Sequence, residues 1–258
     1  MSVATPAAPA EPLVRRVEHV MGMPISLAVR GAHADTQRGL AAWADVLRSL
    51  RWADDVFSTW RDDTVIARLG RGEITEAECP PEVAKVLWIG EAARLASYGA
   101  FAVRREVDGR EVLDPSGVVK GWAVERASAA LTDLPDTDWC LSAGGDLLCH
   151  TRPGHEPWRI VIEDPADPRR TVAVIPVHRG AVATSGTAHR GEHLRHATTG
   201  LAPSGIASVT VVHDSLTIAD VDATSAYLQG LEASAWLRHR GRTGVVVRPW
   251  GEVEILGR

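Results

Sequence analysis

Apolar positions in the first half of the chain recur at helical spacing. From Asp35 to about Asp55 the large apolar residues fall three and four positions apart, which predicts a long amphipathic helix. Residues 80–99 begin with two prolines, end in glycine and keep the same period, so a second helix is expected there. A third helix is predicted over 117–131, entered from the turn that follows Asp114.

The second half is dominated by short runs rich in valine, isoleucine and threonine. Glycine, proline and aspartate bound these runs, as is typical of β-strands; they cover 139–150, 158–164, 171–186 and 207–214. A helical segment is predicted over 215–230, continuing after a glycine to 241, and a strand pair turned at Pro249–Gly251 closes the chain. Residues 14–31 are expected to form one long strand or a kinked pair. Helices mixed irregularly with strands predict an α+β fold, one compact unit of two lobes.

Composition narrows the class of protein. A formal net charge of -5 over 258 residues gives no electrostatic reason to expect a nucleic-acid partner. Residues 1–12, rich in alanine and proline, are expected to be disordered, and residues 13–258 to form a single domain. The N-terminus lacks the charged start and apolar run of a secretory signal, and no apolar stretch reaches the roughly 18 residues that span a membrane. We therefore expect a cytoplasmic protein without membrane insertion.

Cysteine usage agrees with that expectation. The three cysteines, Cys79, Cys140 and Cys149, are an odd number without a CxxC spacing. Neither a disulfide framework nor a zinc knuckle is supported by this pattern, which favours reduced thiols.

The segment IADVDATSAYLQG, residues 218–230, places polar groups at the start of an apolar stretch. If it is helical, Asp220 and Thr224 lie one turn apart on the same side. One interpretation is helix capping, because carboxylates accept the free amides of a helix N-terminus. The other is a hard cation held by oxygen ligands, which needs further ligands from elsewhere in the chain.

Two glycine-containing turns offer further sites. In LDPSGVVKG a helix begins beside Lys120, so its free amides and the ammonium group are suited to a phosphate, although most such turns only start helices. In SAGGDLL the pair Gly144-Gly145 either permits close approach of a ligand to the backbone or forms a hairpin turn.

The segment ATSGTAHRGEHLRHATTG contains three histidines, His189, His193 and His196. Their spacing would suit zinc on a helix, but the intervening glycines argue against a helix, so a single histidine acting as a base or phosphate contact is favoured. Near the end of the first helix, FSTW (residues 57–60) offers an aromatic ring either for stacking on a planar ligand or for the core.

The order of these motifs is more informative than any one of them. A Met-Gly before a strand is followed by Ser-Thr-aromatic, Gly-Ala-Phe, LDxxGxxxKGxAV, GGD, a W-x-I strand, ATSG, a His-containing block ending in TG, SVTV and AD-xxxT-x5-G. In this order, over residues 17–230, the chain resembles the FAD:protein FMN transferases, the ApbE-like flavin transferases. The KG, ATSG and AD-xxxT blocks together carry the resemblance.

The resemblance implies an ApbE-like α+β fold, with mixed or antiparallel sheets and flanking helices, that binds FAD and Mg²⁺. It implies transfer of the FMN part of FAD to a threonine hydroxyl of an acceptor flavoprotein, with release of AMP. The implied flavin or adenine pocket is lined by Met21, Trp60, Gly99, Ala100 and Phe101. Asp114, Lys120 and Leu194 are implied to contact FAD. The implied metal ligands are the Gly117 carbonyl, Asp220 and Thr224. Lys120 is expected to help neutralise the pyrophosphate, and His193 to take the threonine proton.

The chain also departs from the family pattern. Where the family usually reads H-I-x-D-P-x-T-G, this chain has His196-Ala197 in place of Asp-Pro. A second acid that often follows the metal-binding aspartate by three residues is replaced by Ala223, and Asp222 is one position early, about 100° away on a helix. Glu125 stands where the family tends to aspartate. These departures leave two alternatives open: an FAD pyrophosphatase that yields FMN and AMP, and a flavin-binding protein without catalysis.

Overall fold

The computed structural model describes residues 12–107, 109–186 and 194–257. The helices are α1 (Gln37–Phe57), α2 (Val65–Gly70), α3 (Pro81–Ala96), α4 (Ser116–Ala127), α5 (Ala129–Thr132), α6 (Leu216–Leu228) and α7 (Ala233–His239). The strands are β1 (Val14–Val20), β2 (Met23–Gly31), β3 (Arg104–Val107), β4 (Arg110–Leu113), β5 (Thr137–Ala143), β6 (Asp146–His150), β7 (Trp158–Asp164), β8 (Asp167–Val177), β9 (Arg179–Gly186), β10 (Ser208–His213), β11 (Thr243–Val247) and β12 (Val253–Leu256). Of residues 1–12, which are expected to be disordered, residues 1–11 lie outside the described ranges.

One large sheet organises the molecule. Its eight strands run in the order β1-β2-β5-β6-β9-β10-β11-β12, and each neighbouring pair is antiparallel. The pairs β3-β4 and β7-β8 form two further antiparallel ribbons. Together with the helices, this arrangement confirms the predicted α+β class.

The first predicted strand segment is a tight hairpin. Val20 pairs with Met23, which leaves Met21 and Gly22 as a two-residue turn with φ of 56° and 70°. Positive φ at both positions is the geometry that matches the right-handed twist of the two strands. The kinked pair is therefore the correct alternative, and the turn at Met21 faces the cleft described below.

The most deeply buried element is α6. Every residue from Leu216 to Leu228 except Ile218 is buried, because this helix is apolar on nearly all sides and packs against α4, β9 and β10. Gly121 on α4 permits the close contact: a Cβ there would lie 2.8 Å from the Leu216 carbonyl and 2.9 Å from the Asp220 Cβ. This packing brings the middle of α4 against the middle of α6.

The predicted helices form with small differences at their ends. The first runs from Gln37 to Phe57 with Thr36 as its N-cap, and the second starts at Pro81. The third is interrupted at Ser128, so it is two helices, α4 and α5, rather than the single one predicted. Among the helices within the described ranges, none combines the length and the apolar character that a membrane crossing needs.

Candidate functional site

A cleft of about 1210 Å³ opens between the start of α4 and the end of the large sheet. Its walls come from the β1-β2 turn, the segment after α1, the β5-β6 turn, the tip of the β7-β8 ribbon, the end of β9 and residues 194–197. Its volume exceeds the roughly 300–1,000 Å³ that is typical of small-molecule pockets. The cleft is therefore large enough for an extended ligand.

Most of the residues implied by the resemblance face this cleft. The lining includes Met21, Trp60, Ala100, Phe101, Asp114, Gly117, Lys120, Leu194, Asp220 and Thr224. Gly99 is not among the lining residues; its carbonyl accepts a hydrogen bond from the Thr198 hydroxyl at 2.9 Å. His193 lies outside the described residues, so its role stays a prediction.

Lys120 and Asp220, which line the cleft, form a buried charged cluster with Asp146. The Lys120 Nζ is 3.1 Å from Asp220 Oδ1 and also contacts Asp146 Oδ2. Asp146 and Asp220 are 1% and 3% exposed. Asp220 Oδ2 accepts the Gly121 amide at 2.9 Å, and Asp146 Oδ1 accepts the Thr184 amide at 3.0 Å. Two carboxylates thus share one ammonium group, and the cluster carries one excess negative charge.

That excess charge affects the protonation of the cluster. The pKa of Asp220 is raised to about 6, because burial and the neighbouring carboxylate of Asp146 together outweigh the opposing effect of Lys120. Burial acts to lower the pKa of Lys120, but the two carboxylates outweigh it and the pKa is raised, so the ammonium stays charged. Because two carboxylates already balance it, Lys120 has less charge to offer a phosphate than the sequence suggested.

The capping interpretation of Asp220 is wrong. The helix α6 begins at Leu216, and its N-cap Ser215 accepts the Ile218 amide at 3.3 Å, so Asp220 lies beyond the first turn. The helix start is further held by Glu125, whose carboxylate accepts the Ser215 hydroxyl and the Thr217 amide, both at 2.8 Å. Asp220 therefore does not cap its own helix; it lines the cleft and contacts α4.

Asp222 has a different surrounding from Asp220. Although only two positions away, it is ion-paired with Arg240 at 3.2 Å and with Arg242, both C-terminal to α6. It is absent from the cleft lining. Because Asp222 is one position earlier than the second acid of the family pattern, its carboxylate points away from the cleft and forms ion pairs with two arginines.

The oxygen donors near Asp220 are suited to a hard cation. Thr224 follows one turn later on α6, also lines the cleft, and its Oγ1 is 3.0 Å from Ser185 Oγ. Gly117 lies in the first turn of α4 and lines the cleft, and the amide of Gly121, one turn later, donates to Asp220 Oδ2 at 2.9 Å. A carboxylate, a hydroxyl and a carbonyl form an all-oxygen set that fits Mg²⁺, which keeps few protein ligands. Among the described residues there is no cluster of three or more His, Cys, Asp or Glu side chains suited to a metal.

The aromatic residues of FSTW separate into two roles. Phe57 is buried and packs edge-on against Trp122, with ring centroids 5.4 Å apart. Trp60 is 96% exposed at the cleft wall. Phe57 therefore belongs to the core, whereas the ring of Trp60 is accessible to a ligand.

Both glycine-containing turns border the cleft. Gly144 and Gly145 form the β5-β6 hairpin turn, with φ of 56° and 98°, and both line the cleft. Asp114 lines the cleft while its Oδ1 accepts the Ser116 amide at 3.1 Å, which supports the start of α4.

The block in which His-Ala replaces Asp-Pro has a defined hydrogen-bond pattern. His196 Nδ1 accepts the backbone amides of Thr198 at 3.3 Å and Thr199 at 3.4 Å. Ala197 donates its amide to the Ala100 carbonyl at 2.8 Å, which holds this loop against the cleft wall. The imidazole thus closes the turn through its unprotonated nitrogen.

Sequence reasoning missed Asp146. The GGD motif was noted only for its place in the order of motifs, yet its aspartate holds Lys120. Nothing local distinguishes this residue from an ordinary turn aspartate. The available signal was that Asp146 is the charged first residue of a strand whose next three residues are apolar.

The described architecture corresponds to a known class of folds. The flavin transferase ApbE from Vibrio cholerae superposes with a TM-score of 0.79 at 20% identity, covering 95% of this chain and 97% of that one. The apo flavinyl transferase ApbE of Pseudomonas stutzeri gives 0.78 at 18% identity, covering 95% of each chain. The ApbE protein of Thermotoga maritima gives 0.72 at 19% identity, covering 95% and 97%. At these identities the likeness establishes the fold.

Sequence comparison establishes the family. A family model described as the ApbE family matches residues 104–247, and the chain belongs to this family. An FAD:protein FMN transferase from Rhodobacter capsulatus is 31% identical over 142 residues, 52% of this chain. The matched region spans only 27% of that relative's length.

Proposed function

We propose that this protein transfers the FMN part of FAD to a threonine hydroxyl of an acceptor flavoprotein, releases AMP and requires Mg²⁺. The observation that carries the proposal is the meeting of Asp220, Thr224 and the start of α4 in one cleft large enough for an extended ligand. Membership of the ApbE family and the name of the Rhodobacter capsulatus relative support the same activity.

The proposed metal ligands are Asp220, Thr224 and the Gly117 carbonyl. When bound there, Mg²⁺ would offset the charge that develops on the pyrophosphate during transfer. If the Thr224 hydroxyl donates its hydrogen bond to Ser185 Oγ, 3.0 Å away, the lone pairs of Thr224 Oγ1 would remain available to the metal. The cluster of Lys120 and two carboxylates would hold Asp220 in place.

The flavin is proposed to bind at the outer part of the cleft. Trp60 and the β1-β2 turn at Met21 present an exposed ring and an apolar side chain there, which suit a planar heterocycle. Ala100, Phe101, Asp114 and Leu194 are proposed to complete the contacts with FAD. The acceptor protein would present its threonine at the open side of the cleft, with His193 proposed as the group that takes the hydroxyl proton.

The test is to incubate the purified protein with FAD and Mg²⁺, with and without a threonine-bearing acceptor flavoprotein. We expect stoichiometric AMP and an acceptor mass increased by FMN only when all components are present. AMP without an increase in acceptor mass would instead identify an FAD pyrophosphatase. Bound FAD without AMP would identify a flavin-binding protein.

A control reaction tests whether the release of AMP requires the metal. The same reaction with EDTA replacing Mg²⁺ should release no AMP. Full AMP release in the presence of the chelator would contradict the metal requirement.

A further inference from the structure

Asp146 is the least expected member of the buried cluster. It begins β6 directly after the Gly144-Gly145 turn and is 1% exposed. Burial of a carboxylate is costly unless hydrogen bonds and opposite charge compensate for it. The contacts of Asp146 therefore require an explanation.

Those contacts join three elements. One oxygen of Asp146 accepts the Thr184 amide of β9 at 3.0 Å, and the other contacts the Lys120 ammonium of α4. The ammonium in turn lies 3.1 Å from Asp220 on α6. Asp146 thus connects two strands of the sheet, through Lys120, to the carboxylate proposed as a metal ligand.

The charges of the cluster lead to a second consequence. Lys120 and Asp220 alone would be neutral, and a neutral pair has little attraction for a cation. With Asp146 the cluster has one excess negative charge, in surroundings where burial strengthens electrostatic interactions. The excess is therefore due to Asp146 and is located beside the oxygen donors of the cleft.

We propose that Asp146 is a positioning residue of this site: it anchors Lys120 so that Asp220 faces the cleft, and its charge makes the cluster attract a divalent cation. The inference rests on the proposed function, since it takes Asp220 as a metal ligand. It assigns Lys120 chiefly to the carboxylates and leaves charge neutralisation of a phosphate to the cation.

The test measures Mn²⁺ affinity without FAD, by electron paramagnetic resonance and isothermal titration calorimetry. In D146N the side-chain oxygen can still accept the Thr184 amide, but the excess charge is removed. We expect D146N to weaken Mn²⁺ binding about tenfold or more. In the double variant K120M/D146N, Asp220 alone restores the excess negative charge, so we expect an affinity within about threefold of wild type.

A matched control removes a carboxylate from the same cleft outside the cluster. Asp164 lines the cleft at the tip of the β7-β8 ribbon and is paired with Arg170 at 3.8 Å. D164N should change the Mn²⁺ affinity less than about twofold, because Asp164 lies outside the cluster and its charge is already paired with Arg170. Thermal melting of each variant verifies that it is folded.

The outcomes separate the inference from the proposed function. If wild type binds no Mn²⁺, the metal part of the proposed function fails, and the inference fails with it. If wild type binds Mn²⁺ but D146N binds it equally well, or the double variant is as weak as D146N, only the inference is overturned.

A second comparison covers the case in which D146N does not fold. K120M and K120M/D146N differ only in the Asp146 charge, and neither has an ammonium group in the cluster. K120M should then bind Mn²⁺ more tightly than the double variant. Equal affinities would overturn the inference.

Discussion

Two buried carboxylates on neighbouring strands have opposite electrostatic surroundings. Asp138 on β5 is fully buried, with Arg30 Nε at 2.9 Å and Arg152 Nε at 2.8 Å. Asp146 on β6 is equally buried, but it shares the single ammonium of Lys120 with a second carboxylate. Two cations serve one anion in the first cluster, and two anions share one cation in the second.

The difference appears in the protonation of the two clusters. Burial acts to raise the pKa of Asp138, but hydrogen bonds from Arg152 and Arg30 outweigh it and the pKa is lowered. In the cleft, burial and Asp146 together raise the pKa of Asp220 to about 6, against the effect of Lys120. Equal burial therefore produces a satisfied structural ion pair in one place and, in the other, a site that lacks positive charge.

The largest effect that we predict is on the under-compensated cluster. Asp220→Ala should reduce Mg²⁺-dependent AMP release to background, because it removes the only carboxylate among the proposed ligands. The fold should persist, since Lys120 retains Asp146 as its partner. AMP release and the melting temperature are the two measurements; full activity in a folded variant would exclude Asp220 as a ligand.

A substitution in the cluster of Asp138, Arg30 and Arg152 should instead lower the stability of the fold. Asp138→Ala leaves two guanidinium groups without their shared carboxylate, and should lower the free energy of unfolding by about 3 kcal/mol. Denaturant titration measures this loss. Mn²⁺ affinity of the folded variant should match that of wild type, and a large loss of affinity would contradict the separation of the two clusters.

A smaller effect is expected where a hydroxyl orients a proposed ligand. Ser185→Ala removes the partner of Thr224 Oγ1 and should weaken Mn²⁺ binding about tenfold. Ser185→Thr retains a hydroxyl and should recover most of the affinity. Ser208→Ala, at another buried serine of the cleft wall, is the matched control and should have little effect.

The smallest effect concerns pH and stability. Because the folded-state pKa of Asp138 lies below its ordinary value, its contribution to stability is present above about pH 4 and is lost as the pH falls through the folded value. The difference in melting temperature between wild type and Asp138→Asn should therefore narrow on going from pH 7 to acid. A constant difference would show that the charge of Asp138 does not contribute.

Periodic segments were predictable because their signal is local. The spacing of apolar residues placed α1 within about two residues at either end, and glycine and proline located the β11-β12 turn. The sequence did not decide whether residues 14–31 form one long strand or a kinked pair, because a two-residue turn interrupts the alternation of side chains only briefly. The break at Ser128 was not predicted, since the helical period continues through it.

The position of residues in the cleft was predictable where motif order and helical spacing brought them together. Asp220 and Thr224 were recognisable as one pair because both are on one helix at one-turn spacing. Asp146 was not, since its partner Lys120 is 26 positions away and the contact depends on how β6 meets α4. Asp222 could be separated from the predicted ligand position by its direction about 100° away on the helix. Its partners Arg240 and Arg242 could not be predicted, because they lie C-terminal to α6 and meet it only through packing.

The sequence by itself determined the class of fold and most helix and strand segments, because these depend on the spacing of residues along the chain. The order of its motifs determined which family the chain resembles. Only the tertiary structure decided that Lys120 is shared by two carboxylates, that Asp138 is satisfied, and that Trp60 is exposed while Phe57 is buried. The physical reason is that burial and the balance of charge are set by packing between distant elements, here by the contact of α4 and α6 against β6 and β9.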